Sequence, residues 1–222
     1  MMGKNINFMK KTIFKNMLIA GVLIASVMVA NAQVPISFSG QIGYASPFGG
    51  HFENANGEKM SKFGLGVDID VLYHFEKMDY KLGVGLAYNT SLLFGADLEN
   101  FSDIGMYGLS LYGVKGHYRF LNSKISPYVA LSLGLSHFST PELTMSDGFD
   151  NEIVTEGESA FGFGIRPEIG VEFGGFLLSV AYTVPMSYKV YEESKTAGCL
   201  QVNLGWRFSL FERENNSKRR WR

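Results

Sequence analysis

The 222-residue chain carries 20 basic and 21 acidic residues and is 46% hydrophobic. That balance excludes the broad basic face of a nucleic-acid binder, and one cysteine, Cys199, excludes an internal disulfide. The length allows one or two domains.

Residues 1–32 read as a cleaved secretory signal peptide. Lys4, Lys10, Lys11 and Lys15 form a positive n-region, and residues 17–30 form an apolar run broken only by Gly21 and Ser26. Ala30-Asn31-Ala32 is a small-x-small cleavage site, which predicts cutting between Ala32 and Gln33. The run is shorter than the ~20 residues a spanning helix needs. Losing the leader's four lysines leaves 16 basic against 21 acidic residues, a net charge of −5. No later apolar run is long enough for a spanning helix, so membrane residence has to come from strands.

Alternation with period two, the mark of a strand with unlike faces, predicts eight strands. The first, 36–45, sets Ile36, Phe38, Ile42 and Tyr44 against Ser37, Ser39, Gln41 and Gly43. The second, 63–75, runs Phe63, Leu65, Val67, Ile69, Val71, Tyr73, Phe75 on one side, with Gly64, Gly66, Asp68, Asp70 and His74 on the other. The third, 80–92, opposes Leu82, Val84, Leu86 and Tyr88 to Lys81, Gly83, Gly85, Ala87 and Asn89. In the fourth, 106–120, Tyr107, Leu109 and Leu111 share one parity, and Tyr112, Val114, Tyr118 and Phe120 take the other. A bulge near Gly113 would produce that switch.

The fifth strand, 125–138, alternates Val129, Leu131, Leu133 and Leu135 with Tyr128, Ala130, Ser132, Gly134 and Ser136. The sixth, 160–173, alternates Phe161, Phe163, Ile165, Ile169 and Val171 with Gly162, Gly164, Arg166, Glu168 and Glu172. The seventh, 176–188, places Leu178, Val180, Tyr182, Val184 and Met186 together. The eighth, 198–210, sets Leu200, Val202, Leu204, Trp206 and Phe208 against Cys199, Gln201, Asn203, Gly205 and Arg207. Pro167 and Pro185 interrupt the sixth and seventh; proline cannot donate to a ladder, so local irregularity is expected there.

Connections 76–79, 121–124 and 174–175 are tight, whereas 47–62, 95–105, 140–159 and 190–196 are longer and polar. Strict alternation of short and long predicts an antiparallel up-and-down sheet with all long loops at one end, as in outer-membrane barrels. The charges orient the faces. Lys81, Arg166 and Arg207 lie on glycine-rich faces, and such a residue facing mid-bilayer lipid would cost about 2–4 kcal/mol. Turned inward, each can pair with Asp68, Asp70, Glu168 or Glu172. Only a closed barrel satisfies strand backbone in lipid. Tyr73, Phe75, Tyr80, Phe120, Phe173, Phe176, Trp206 and Phe208 gather near the short turns, as an interfacial belt would. Tyr44, Tyr88, Phe161 and Tyr188 lie toward the other end.

On these residues the chain resembles the small eight-stranded outer-membrane β-barrel proteins of the OmpX and OmpA-transmembrane type, over residues 36–210. The closing pattern Leu200-x-Val202-x-Leu204-x-Trp206-x-Phe208 looks like the C-terminal signal read by the barrel-insertion machinery, although the chain continues to Arg222. The resemblance implies one barrel domain, 33–211, in a bacterial outer membrane. It touches lipid and lipopolysaccharide, acts as a monomer without cofactor or metal, and keeps both termini in the periplasm. A short basic tail follows at 212–222.

Four sets of residues carry candidate chemistry. The lumen set is Asp68, Asp70, His74, Lys81, Lys115, His117, Arg119, Arg166, Glu168, Glu172 and Arg207. Eight strands leave an interior just wide enough for side chains, so paired charges predict a plug; a gated, narrow pore is the alternative. The second set is His137 and Ser139. Lipid A deacylases are similar barrels with a lipid-facing His-x-Ser pair and an acid, and Glu152 is the acid best placed in the sequence. That family has asparagine after the serine; this chain has Thr140. A serine needs an adjacent base and the base an orienting acid, so this reading stands or falls on contact between the pair.

The third set is the acidic stretch 140–158, with Glu142, Asp147, Asp150, Glu152, Glu156 and Glu158 and no lysine or arginine. Asp147-Gly148 between Leu143-Thr144-Met145 and Ile153-Val154-Thr155 predicts a hairpin. Its edge would suit strand addition by an extracellular protein; a charged, solvated loop is the simpler reading. The fourth is the tail, a disordered end or a contact with anionic headgroups. The favoured function is structural or surface-interacting, through outer loops and without catalysis.

Overall fold

In the computed structural model, residues 35–53, 57, 59–95, 103–141, 143–146, 152–155, 157–190 and 193–210 are described. The leader with its Ala32/Gln33 junction and the basic tail lie outside them. The barrel strands are β1 (Ile36–Phe48), β2 (Ser61–His74), β3 (Leu82–Gly95), β5 (Met106–Arg119), β6 (Ile125–Ser139), β9 (Ser159–Phe173), β10 (Phe176–Val190) and β11 (Glu193–Ser209). They close antiparallel in the order β1-β2-β3-β5-β6-β9-β10-β11 and back to β1. Three short strands, β4 (Asp103–Ile104), β7 (Leu143–Ser146) and β8 (Glu152–Thr155), form a separate sheet ordered β4-β7-β8. The predicted hairpin is its β7–β8 pair, with Ser146 opposite Glu152. Thr140 N–H donates to the Glu158 carbonyl at its base.

Burial follows parity around the wall. Ile42 is 70% exposed and Leu86 68%, while Gln41, Asp68, Lys115, Arg166 and Asn203 are buried. A wall this apolar suits lipid, where every backbone group must be satisfied within the protein and a closed barrel does so. At the short-turn end, Tyr73 packs edge-on to Phe75 and Tyr118 to Phe120, both at 5.4 Å. Trp206 joins Phe176 and Phe208 at 6.4 Å.

Four expectations change. Gly113 carries no bulge: β5 pairs with β3 and β6 in unbroken register. The parity switch arises because Tyr107, Leu109 and Leu111 face inward, so the interior itself turns apolar toward the long-loop end. The third strand starts at Leu82, because Asp79 and Tyr80 both take positive φ (52° and 57°) and turn the chain. The segment 190–196 is no long loop, since β10 and β11 pair up to Val190 opposite Glu193. Polar residues on both faces hid that extension. Tyr188 belongs to no outer aromatic group, because a bulge between Thr183 and Met186, around Pro185, flips the face and sends Tyr188 and Val190 inward.

Inward glycines make room where strands run close. Gly113 and Gly134 face each other on β5 and β6. A Cβ at Gly134 would stand 2.1 Å from the Tyr112 carbonyl oxygen, whereas one at outward Gly116 meets nothing within 4 Å. Gly134→Val is therefore expected to cost about 1–3 kcal/mol, the usual range for overpacking, and Gly116→Val close to nothing. Urea titration of the refolded barrels measures both, and equal stabilities would refute the close approach.

Candidate functional site

The interior divides into two layers. The charged layer holds Asp68 and Asp70 from β2, Lys115 and Arg119 from β5, Arg166, Glu168 and Glu172 from β9, and Arg207 from β11, all buried. Period two explains their convergence, since each occupies the inward parity of its strand. Lys115 Nζ donates to Asp70 Oδ2 at 2.9 Å and to Glu168 Oε2 at 2.8 Å. Arg166 pairs with Asp68, donates to the Gln201 side chain, and lies 3.6 Å from Glu168 Oε2. Arg207 donates to Glu172 at 3.2 Å, and Arg119 Nε is 3.4 Å from the same carboxylate oxygen.

Neutral groups complete the network. Tyr128 O–H donates to Glu168 Oε1 at 2.7 Å, and Gln41 Nε2 to the same oxygen at 3.3 Å. Asn203 Nδ2 donates to Asp68 at 2.9 Å. His117 Nε2 lies 2.7 Å from Arg207 Nη1, an arrangement that requires the imidazole nitrogen to accept. His74 sits lower, with Ser37 Oγ at 2.7 Å from its Nε2 and the Tyr80 carbonyl at 3.1 Å from its Nδ1. Among buried charged side chains the cations are Lys115, Arg119, Arg166 and Arg207, and the anions Asp68, Asp70, Glu168 and Glu172. Four meet four, so the layer carries no net charge with its histidines neutral.

Lys81 stands apart from this layer. Displaced by the Asp79–Tyr80 turn, it is half-buried ahead of β3, and its carbonyl accepts from Arg119 N–H. The remaining sequence-predicted lumen residues are all inside.

The second layer, toward the long-loop end, is an apolar cap that parity alone did not reveal. Phe52, from a short 3-10 turn (Gly50–Phe52), drops onto Tyr107 and Phe138 at 5.5 and 5.7 Å. Ala45, Leu93, Leu109, Tyr188, Val190, Ala197 and Cys199 fill the space around them. Cys199 is thus a small packing residue within the cap. A cavity of about 130 Å³ at the mouth is lined by His51, Glu53, Met60, Tyr107, Thr140 and Lys195 among others. The signal for the cap was present in the odd run Tyr107, Leu109, Leu111, which reads inward once the bulge is discarded.

His137 and Ser139 both take the outward parity of β6, but no hydrogen bond joins them. The His137 ring packs tilted against Phe161, with centroids 4.5 Å apart. Residues two apart on a strand share a face yet stand nearly 7 Å apart along it. The Glu152 side chain lies outside the described residues. In this structure the pair makes no base–nucleophile hydrogen bond of the kind serine catalysis uses.

No family model matches the chain, and no curated protein matches it. Solved structures do. The attachment invasion locus protein Ail of Yersinia pestis, in complex with the heparin analogue sucrose octasulfate, aligns with a TM-score of 0.50 and 19% identity, covering 78% of this chain and 99% of that one. Neisserial surface protein A aligns with a TM-score of 0.49 and 14% identity, covering 78% of this chain and 95% of its own. At such identities the likeness speaks to fold alone. A closed antiparallel wall, an apolar exterior and a side-chain-filled interior give this chain the fold of the small eight-stranded outer-membrane β-barrels.

Proposed function

We propose that the chain is a bacterial outer-membrane protein, both termini periplasmic, whose barrel is an anchor and whose long loops meet an extracellular partner without catalysis. The observation that carries this reading is the interior: a neutral, paired charge layer beneath an aromatic cap is built to be closed. Work then falls to the surface at the long-loop end. There the β4-β7-β8 sheet extends the longest connection, and residues 140–158 hold six acids and no lysine or arginine. Such a surface selects a basic protein patch, with affinity falling as salt rises. Ail is described with a polyanionic heparin analogue; the acidic stretch here predicts the opposite preference.

The test is adherence of cells displaying the full chain to surfaces coated with a basic protein such as lysozyme or with heparin. Binding to the basic surface is expected, sensitive to salt and lost when 143–155 is replaced by a Gly-Ser linker in a barrel that still folds. Unchanged adherence after that replacement would overturn the loop assignment. In planar bilayers the purified protein is expected to show no steady large conductance; such a conductance would favour the pore instead.

A further inference from the structure

The lumen holds two buried histidines, and their contacts treat a proton differently. His74 Nδ1 lies 3.1 Å from the Tyr80 carbonyl oxygen, which only accepts, so Nδ1 carries a hydrogen. Its Nε2 faces Ser37 Oγ at 2.7 Å, and a hydroxyl serves as donor or acceptor. His74 can therefore take a second proton with both contacts kept. His117 cannot. Its Nε2 lies 2.7 Å from Arg207 Nη1, and a guanidinium has donors only. The Nε2 lone pair must stay bare, which puts the ring hydrogen of His117 on Nδ1.

Arg207 stands between two carboxylates. Besides meeting His117, its Nη1 donates to Glu172 Oε2 at 3.2 Å. Its Nη2 is 3.9 Å from Asp70 Oδ1, and among the described residues neither of those two atoms makes a hydrogen bond. A second, unused seat for the guanidinium thus lies beside the occupied one. Glu172 keeps a partner if Arg207 leaves, because Arg119 Nε is 3.4 Å from the same oxygen. Strand parity sets the other groups around His117. Lys115 and Arg119 share its own β5, β2 brings Asp70 and His74, β6 brings Tyr128, and β9 brings Glu168 and Glu172. The inward side chains described on β1, β3 and β10 carry no charge, and Lys81 lies in the turn ahead of β3. Four cations already meet four anions here. A proton on His117 makes a fifth cation, 2.7 Å from Arg207.

We propose that His117 is a proton-operated latch on Arg207. Neutral, the imidazole holds the guanidinium on Glu172. Protonated on Nε2, it repels the guanidinium, which swings onto Asp70 and leaves Glu172 to Arg119. In the unfolded chain the same proton meets no guanidinium, so acid favours unfolding. The latch's share of stability is full above about pH 6.5, where an unfolded imidazole is neutral, and is lost as the pH falls below it.

The mature wild type and His117→Gln are refolded into phosphatidylcholine vesicles and unfolded in urea at pH 7.5 and 5.5. Glutamine keeps a neutral oxygen for Arg207 and does not titrate. The folding equilibrium constant of the wild type is expected to fall several-fold more than that of the variant, with one proton setting a ceiling of about tenfold over that interval. Equal falls would overturn the latch. His74→Gln is expected to respond to acid as the wild type does; a response abolished there instead would overturn the assignment to His117. Nitrogen NMR of the wild type in phosphatidylcholine nanodiscs needs no variant to fold. At pH 7.5 the His117 ring is expected to show Nδ1 protonated and Nε2 bare, and on acidification the Arg207 side-chain signals are expected to move with the His117 midpoint. A hydrogen on His117 Nε2 at pH 7.5, or a titration that leaves Arg207 unmoved, would overturn the proposal.

Discussion

Lys115→Met is expected to destabilise the barrel by about 3–5 kcal/mol, the range for removing one partner of a buried ion pair. The ammonium is fully buried and bonds two carboxylates, Asp70 and Glu168. Without it, four buried anions face three cations, and neither carboxylate can recover its hydration. The size of the loss comes from the uncompensated charges left behind more than from the pair's own net worth. Restoring the balance should therefore restore much of the stability. Lys115→Met/Glu168→Gln leaves three anions and three cations. The amide oxygen introduced by Glu168→Gln can still accept from Tyr128 and Gln41, which bond the native carboxylate. Urea unfolding of the refolded single and double variants gives the coupling directly as a double-mutant cycle. Strictly additive losses would show that charge balance does not govern this interior.

Much of that interior was legible in the chain because a strand has only two faces. Once Arg166, Glu168 and Glu172 alternate with Phe163, Ile165 and Ile169, the hand of the wall follows, and a one-residue slip would send every charge into lipid. What period two cannot carry is depth. Tyr107, Leu109 and Leu111 look like a change of face when every inward residue is expected to be polar; they mark a change of layer along the barrel axis. Partnership is equally hidden. That Lys115 meets Asp70 and Glu168 depends on how eight strands stagger, a property of closure. Lys81 falls just outside the β3 ladder because nothing in Met78-Asp79-Tyr80 announces two successive left-handed residues, which glycine or asparagine would have signalled. Pro167 did announce an irregularity, but which neighbour loses its rungs is decided by the side of β9 that stays paired with β6.

The two layers also bear on His137 and Ser139. A wall residue near the long-loop end reaches substrate-like lipid readily, so exposure alone satisfies half of what a lipid hydrolase needs. The other half is a proton relay, and in this structure no hydrogen bond joins the His137 imidazole to the Ser139 hydroxyl. The imidazole instead closes on Phe161, an aromatic contact that holds the ring against the wall.

Ile169→Arg is expected to cost about 2–4 kcal/mol when the barrel is folded in a bilayer, the penalty for an arginine on the lipid face at mid-membrane. Ile169 is 61% exposed on β9, between Val129 of β6 and Val180 of β10. On a protein surrounded by water, a substitution at so exposed a site would stay within about 0.5 kcal/mol. The sign and size of the effect thus report the solvent around the wall. The same substitution at Phe173, in the aromatic belt beside the tight turn at Gly174, should cost only about 0–1 kcal/mol, because the guanidinium reaches headgroups there. The gradient between the two positions is the discriminating quantity, since loss of a packed side chain would affect both. Equilibrium unfolding in phosphatidylcholine vesicles measures each. A flat profile would mean that the wall does not face lipid at the depth of Ile169. A steep one places Ile169 within the hydrocarbon core and Phe173 near its edge.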